Sequence, residues 1–156
     1  MPDHSHTSAV VTGGTQGLGL AIVEQLIADG CGRVAIAGRS VAKGEEVAER
    51  LRKTGADVHF IATDMGDAQA AIALIDHAAA RFGRLTALVN AAAATDRGSI
   101  LDTSPEVWDA LMDVNAKGPF FAIQRFAQRA VAEDHAASIV NVLSMVVHCG
   151  QSFLAP

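Results

Sequence analysis

The chain contains no tyrosine, and aromatic residues make up 4% of it. A phenol works as a general acid near neutrality only when a neighbouring cation lowers its pKa from about 10. No such pair can be assembled within these 156 residues. Cysteine is nearly missing as well. Cys31 and Cys149 stand far apart, and a reducing compartment would keep both as buried thiols without chemistry. The histidines (His4, His6, His59, His77, His135 and His148) share no helical ligand spacing, so a structural metal is not expected and most of them read as surface residues. No apolar run approaches the eighteen or so residues of a membrane span. Met1-Pro2-Asp3-His4-Ser5-His6 lacks the basic-then-apolar build of a secretion signal, so the expected location is the cytoplasm, away from any membrane. Basic charge is scarce: 12 Lys and Arg against 17 Asp and Glu leave a net charge of -5 and no footprint for nucleic acid.

What remains is the composition of one globular domain, half of it apolar. Its organising stretch is Thr12-Gly13-Gly14-Thr15-Gln16-Gly17-Leu18-Gly19. A strand-like run, Ser8-Ala9-Val10-Val11, precedes it. Leu18, Ala21, Ile22, Val23, Leu26 and Ile27 then recur at helical spacing up to Asp29-Gly30. A glycine-rich turn between a strand and a helix is either a tight connection or an anion cradle, because glycine admits close approach and a helix start presents unpaired N–H groups.

The pattern T-G-x-x-x-G-x-G resembles the cofactor loop of the short-chain dehydrogenase/reductase family. The resemblance implies that Gly13, Gly17 and Gly19 carry the turn, the pyrophosphate approach and the helix packing, with Thr12 bracing the strand end. Thr15, Gln16 and Leu18 complete the implied cofactor contacts.

Further along, Arg33 to Gly38 reads as a buried parallel strand. Val41 to Lys53 reads as a helix with Val47, Ala48 and Leu51 inward. Asp57 to Ala62 is a third strand, Asp67 to Phe82 a third helix closed by Gly83, and Thr86 to Asn90 a fourth strand. A small-residue loop, Ala91 to Gly98, leads to a long helix opened by Ser104-Pro105-Glu106 and spanning roughly 104–134. It is apolar on most of its circumference, so it should be covered twice, and Gly118-Pro119 is a point where it could kink. Ala137 to Leu143 makes a fifth strand. Strands alternating with helices imply an α/β fold, a Rossmann-like, doubly wound parallel sheet of order 3-2-1-4-5.

Twenty positions past Gly19, at the end of the second strand, stands Arg39. An acidic residue there would hold a ribose 2′-hydroxyl, whereas an arginine accommodates a 2′-phosphate. The expected cofactor is therefore NADP, with NAD less favoured, unless Arg39 is simply a surface residue on a turn. Ser40 adjoins it. Asp64, followed by Met65, reads as a turn or cap residue on its own, and the resemblance implies an adenine contact. Asn90-Ala91-Ala92-Ala93 resembles the family's Asn-Asn-Ala-Gly segment, departing at Ala91 and Ala93. Asn90 suits tying neighbouring strands together, and Asn90, Ala91 and Ala92 are either cofactor contacts or a packed strand end.

Two residues carry the implied chemistry. Asn115 is a polar residue inside an apolar helix and needs partners if buried; the resemblance makes it the asparagine that holds a water in the proton relay. Ser144 follows the fifth strand, where open α/β sheets bind ligands. It is either a turn residue or, by resemblance, the catalytic serine that steadies charge on the substrate oxygen.

The family's tyrosine and lysine follow that serine, and the three lysines here (Lys43, Lys53, Lys117) all precede it. The resemblance therefore covers Ser8 to Pro156 but only part of a full-length member. Residues 1–156 are expected to form an incomplete NAD(P)-binding domain lacking the last strands and helices. The expected function is NADP-dependent hydride transfer to or from an alcohol or ketone carbon, with this chain inactive alone. The alternatives are a noncatalytic NADP-binding module or regulator and a truncated product without function. Its uncovered strand and long helix suggest homo-oligomerisation.

Overall fold

In a computed structural model, residues 3–148 are described, and the side chain of Val147 is not. Cys149 and the segment to Pro156 lie outside that range. The elements are β1 (Ser8–Thr12), α1 (Gly17–Ala28), β2 (Arg33–Gly38), α2 (Val41–Arg52), β3 (Asp57–Ala62), α3 (Ala68–Phe82), β4 (Ala87–Asn90), α4 (Pro105–Met112), α5 (Gly118–Ala132) and β5 (Ser138–Asn141). The strands pair in parallel in the order β3-β2-β1-β4-β5, as the alternation of strands and helices predicts. The switch in chain direction falls between β1 and β4, and a doubly wound sheet opens a crevice there.

Side chains alternate across the sheet with the pleat. Val10, Ala35, Ile61 and Leu88 face α3 and α5, packing with Leu74, Ile75, Ala78 and Phe126. Ala9, Val11, Val34, Ile36 and Phe60 face the other way, against Val23 of α1 and Val47, Ala48 and Leu51 of α2. Both faces of β1 are covered, and all five of its residues are buried. The caps follow the sequence. Ser40 accepts from Lys43 N, Asp67 from Gln69 and Ala70 N, and Ser104 from Val107 N, while Gly83 ends α3 at φ 73.

The expected long helix differs from a single rod. Residues Asp113–Lys117 form a π-helical turn between α4 and α5. Pro119 has no N–H to give to the carbonyl four residues back, and its ring crowds that carbonyl, so the turn just upstream widens. Gly118 follows because α5 crosses the β3 exit with almost no clearance. A methyl group on Gly118 would fall 1.9 Å from the Met65 carbonyl oxygen.

The double cover expected for this helix is also corrected. Leu111, Ala122 and Phe126 are buried, but Trp108, Met112, Phe120 and Val131 are exposed. The described residues pack against one face only. β5 is likewise shorter than the seven-residue run expected, and all four of its residues are exposed at the sheet edge. His135 departs from the expected surface setting. Its side chain is buried, with Nε2 2.8 Å from the Leu85 carbonyl oxygen.

Candidate cofactor-binding and active site

Thr12 ends β1 fully buried, and its hydroxyl oxygen accepts from the N–H groups of Ala91 and Ala92, each at 3.1 Å. One hydroxyl thus fastens the β4 exit to the β1 exit, the brace expected of it. Gly13 follows at φ 68, and a methyl there would strike Ala92 N at 2.8 Å. Gly19 packs the first turn of α1 onto the loop so closely that a Cβ would meet Gly13 O at 2.3 Å. Gly17 behaves in the opposite way: φ is 54 and nothing lies within 4 Å of where its Cβ would stand. Close packing explains two of these glycines. An open approach from solvent explains the third.

The start of α1 is left without a side-chain cap or a negative charge: its N-cap, Gln16, makes no side-chain capping bond, and no acidic side chain stands in the first turn. The unpaired N–H groups therefore face the open space beside Gly17, the arrangement that receives phosphate oxygens. Above them lies a groove of about 290 Å³. The loop residues Gly13, Thr15, Gln16, Gly17, Leu18 and Gly19 form one wall, and Arg39 at the end of β2 another. Asp64 and Met65 follow from the β3 exit, and Ala91 and Ala92 from the β4 exit. Leu18, apolar and at helical spacing, is 60% exposed because it lines this groove rather than the core.

Asp64 holds its own turn, its carboxylate accepting from Gly66 N at 2.9 Å. The Arg39 side chain makes no hydrogen bond or ion pair among the described residues. Ser40 caps α2 and does not line the groove.

Ala93, one of the two departures from the family's segment, also lines the groove, together with Ala37, Gly38, Thr63, Ala94 and Val114, which the sequence does not mark as site residues. Apart from Gly38 they carry no turn or charge signal. Only strand order and the path of the 91–98 loop bring them together.

Asn90, Asn115 and Ser144, like Thr12 and Ser40, do not line the groove. Asn90 is buried, and its Nδ2 donates to Asn141 Oδ1 at 2.9 Å, tying β4 to β5 as expected. Its own Oδ1 is buried without a partner. Asn115 is exposed, not buried in an apolar helix, because the π-helical turn carries it outward. Its amide grips Ala94, accepting from Ala94 N at 2.9 Å and donating to Ala94 O at 2.8 Å. Asn90, Asn115 and Asn141 line a second hollow, and Ala92 belongs to its wall as well as to that of the groove. Ser144 stands beyond β5, exposed, its oxygen accepting from Val146 N at 3.3 Å. Among the described residues no cluster of His, Cys, Asp or Glu could hold a metal ion, and no helix is long and apolar enough to cross a membrane.

A family model for short chain dehydrogenases matches residues 7–156. The chain belongs to the short chain dehydrogenase family. Among curated members, it is 36% identical over 137 residues to the NADP-dependent (R)-specific alcohol dehydrogenase of Lentilactobacillus kefiri, which covers 88% of this chain and 54% of that one. A short chain dehydrogenase/reductase from Burkholderia phymatum, solved with NAD, superposes at a TM-score of 0.92 with 27% identity, covering 99% of this chain and 54% of that one. A short chain dehydrogenase from Burkholderia cenocepacia, solved with NADP, gives 0.88 and 29%, covering 97% and 61%. The chain spans about half the length of the curated relatives it matches. Family members are oxidoreductases, and these relatives divide between the two nicotinamide cofactors.

Proposed function

We propose that residues 1–156 form the cofactor-binding part of an NADP-dependent oxidoreductase that moves hydride between the nicotinamide ring and an alcohol or ketone carbon. The observation that carries this reading is the pairing of an uncapped, glycine-lined helix start with an uncompensated Arg39 at the end of β2. The loop N–H groups take the pyrophosphate, and Arg39 takes a 2′-phosphate by charge-assisted hydrogen bonds. Asp64 and Met65 bound the adenine end. Ala91 and Ala92 line the nicotinamide end, and Asn90 supports them from the strand behind by its bond to Asn141.

Bound NADP supplies the hydride chemistry. The chain's own contribution is positioning: Ser144 donates its hydroxyl proton as a hydrogen bond to the substrate oxygen, and Asn115 fixes the loop through Ala94. No tyrosine is present to move the proton. A protein of these 156 residues alone therefore binds the cofactor without turnover. The exposed face of Trp108, Met112, Phe120 and Val131 is assigned to self-association.

Fluorescence titration of the chain with NADPH and NADH tests the reading. Saturable binding with NADPH favoured is expected, and Arg39→Gln should cost NADPH tenfold or more. Absence of binding to either cofactor would overturn it.

A further inference from the structure

Lys43 lies in the first turn of α2, yet its side chain returns to the glycine loop, where Nζ donates to Gln16 Oε1. Gln16 lines the groove, so the ammonium is held at its rim, on the side where β2 gives way to α2. The holding group is a neutral amide. Among the described residues neither Lys43 nor Arg39, four residues earlier, pairs with a carboxylate.

Among the described residues Arg33, Lys53 and Arg84 also make no ion pair, but none of them lines the groove, and most other cations are compensated. Arg50 pairs with Glu24, Arg81 with Asp57, Lys117 with Asp113, and Arg125 and Arg129 share Asp76. In a protein of net charge -5, Arg39 in the groove wall and Lys43 bonded to Gln16 of that wall, both without a carboxylate partner, mark a place for an anion.

We propose that Lys43 is a specificity-determining residue that, with Arg39, holds the phosphate monoester on the cofactor's adenosine ribose, and that Gln16 keeps its ammonium aimed at that place. The inference rests on the dinucleotide reading of the groove. A monoester carries nearly two charges and three acceptor oxygens, more than one guanidinium can satisfy. The diphosphate bridge carries less charge per phosphorus and is served by backbone N–H groups at the start of α1.

The test measures dissociation constants for NADPH and NADH with the full 156-residue chain, with Lys43→Gln, and with Lys53→Gln as an exposed control at the opposite end of the same helix. Lys43→Gln should weaken NADPH about tenfold or more, the effect of one charge-assisted contact, and leave NADH within twofold. It should also flatten the salt dependence of NADPH binding, while Lys53→Gln changes nothing.

If the unaltered chain prefers NADPH but Lys43→Gln binds it equally well, the role of Lys43 is overturned and the dinucleotide reading stands. Equal weakening of both cofactors would overturn the specificity role. Binding of neither cofactor by the unaltered chain would overturn both readings.

Discussion

The side-chain amide of Asn115 pairs with both backbone groups of Ala94, at 2.9 and 2.8 Å, joining the π-helical turn to the loop that lines the groove. Both bonds are local to one residue, so the loop loses its anchor if the amide is removed. Asn115→Ala should cost about 1–3 kcal/mol of local stability at the loop. Amide hydrogen exchange at Ala94 measures it, with faster exchange expected there and unchanged protection in β1. Asn115→Asp should be as damaging, because a carboxylate accepts from Ala94 N but repels Ala94 O.

Gly118 has no room for a side chain. Its added methyl would sit 1.9 Å from Met65 O, a backbone atom that cannot swing away. Gly118→Ala should destabilise the fold by more than about 2 kcal/mol through overpacking, read as a lower urea midpoint. A midpoint equal to that of the unaltered chain would show that α5 can lift from the β3 exit.

Gly17 and Gly19 should separate binding from folding. At Gly17 the space is open, so Gly17→Ala meets only the left-handed backbone, costing on the order of 1 kcal/mol, while its methyl enters the groove. Cofactor affinity should fall with little change in melting temperature. Gly19→Ala drives a methyl to 2.3 Å from Gly13 O, so folding and binding should be lost together. Thermal melts and cofactor titrations on both variants decide it.

Burial pushes the Cys31 thiol above its ordinary value of 9.0, outweighing the hydrogen bonds that favour the thiolate. The folded state therefore keeps the proton longer than the unfolded one. The resulting stability is whole below about pH 9 and is lost as pH rises through the higher folded value. Unfolding free energy should decline above pH 9 more steeply in the unaltered chain than in Cys31→Ala. The Cys31 peptide should resist alkylation until urea unfolds the chain.

The outward face of α4 and α5 should govern association. Phe120 is 58% exposed and Val131 81%, beside the unpaired edge of β5. Phe120→Asp is expected to raise the monomer fraction in sedimentation velocity without altering cofactor affinity, since Phe120 does not line the groove.

Periodicity alone fixes most of the framework. β2 and β3 begin and end at the residues that the apolar runs mark, and Asp67, Ser104 and Gly83 stand at helix ends where their chemistry places them. These are local matters of backbone preference, capping and alternation, and they are written in neighbouring residues. The glycine loop and Arg39 were legible for the same reason, since each belongs to a short motif at the end of a strand.

Long-range packing decided the rest. Gly118-Pro119 marks the break beside Asp113–Lys117 in the sequence, but the close approach of Gly118 to Met65, remote in sequence, is seen only in the fold. The outward turn of Asn115, its grip on Ala94, and the groove walls at Thr63 and Val114 follow from that crossing. So does the reach of Lys43 to Gln16, which joins residues 27 positions apart because β1 and β2 lie side by side. Sequence settles which strands and turns form, because neighbouring residues carry those energies. Only the folded chain settles which side chains meet, because those distances depend on every element between them.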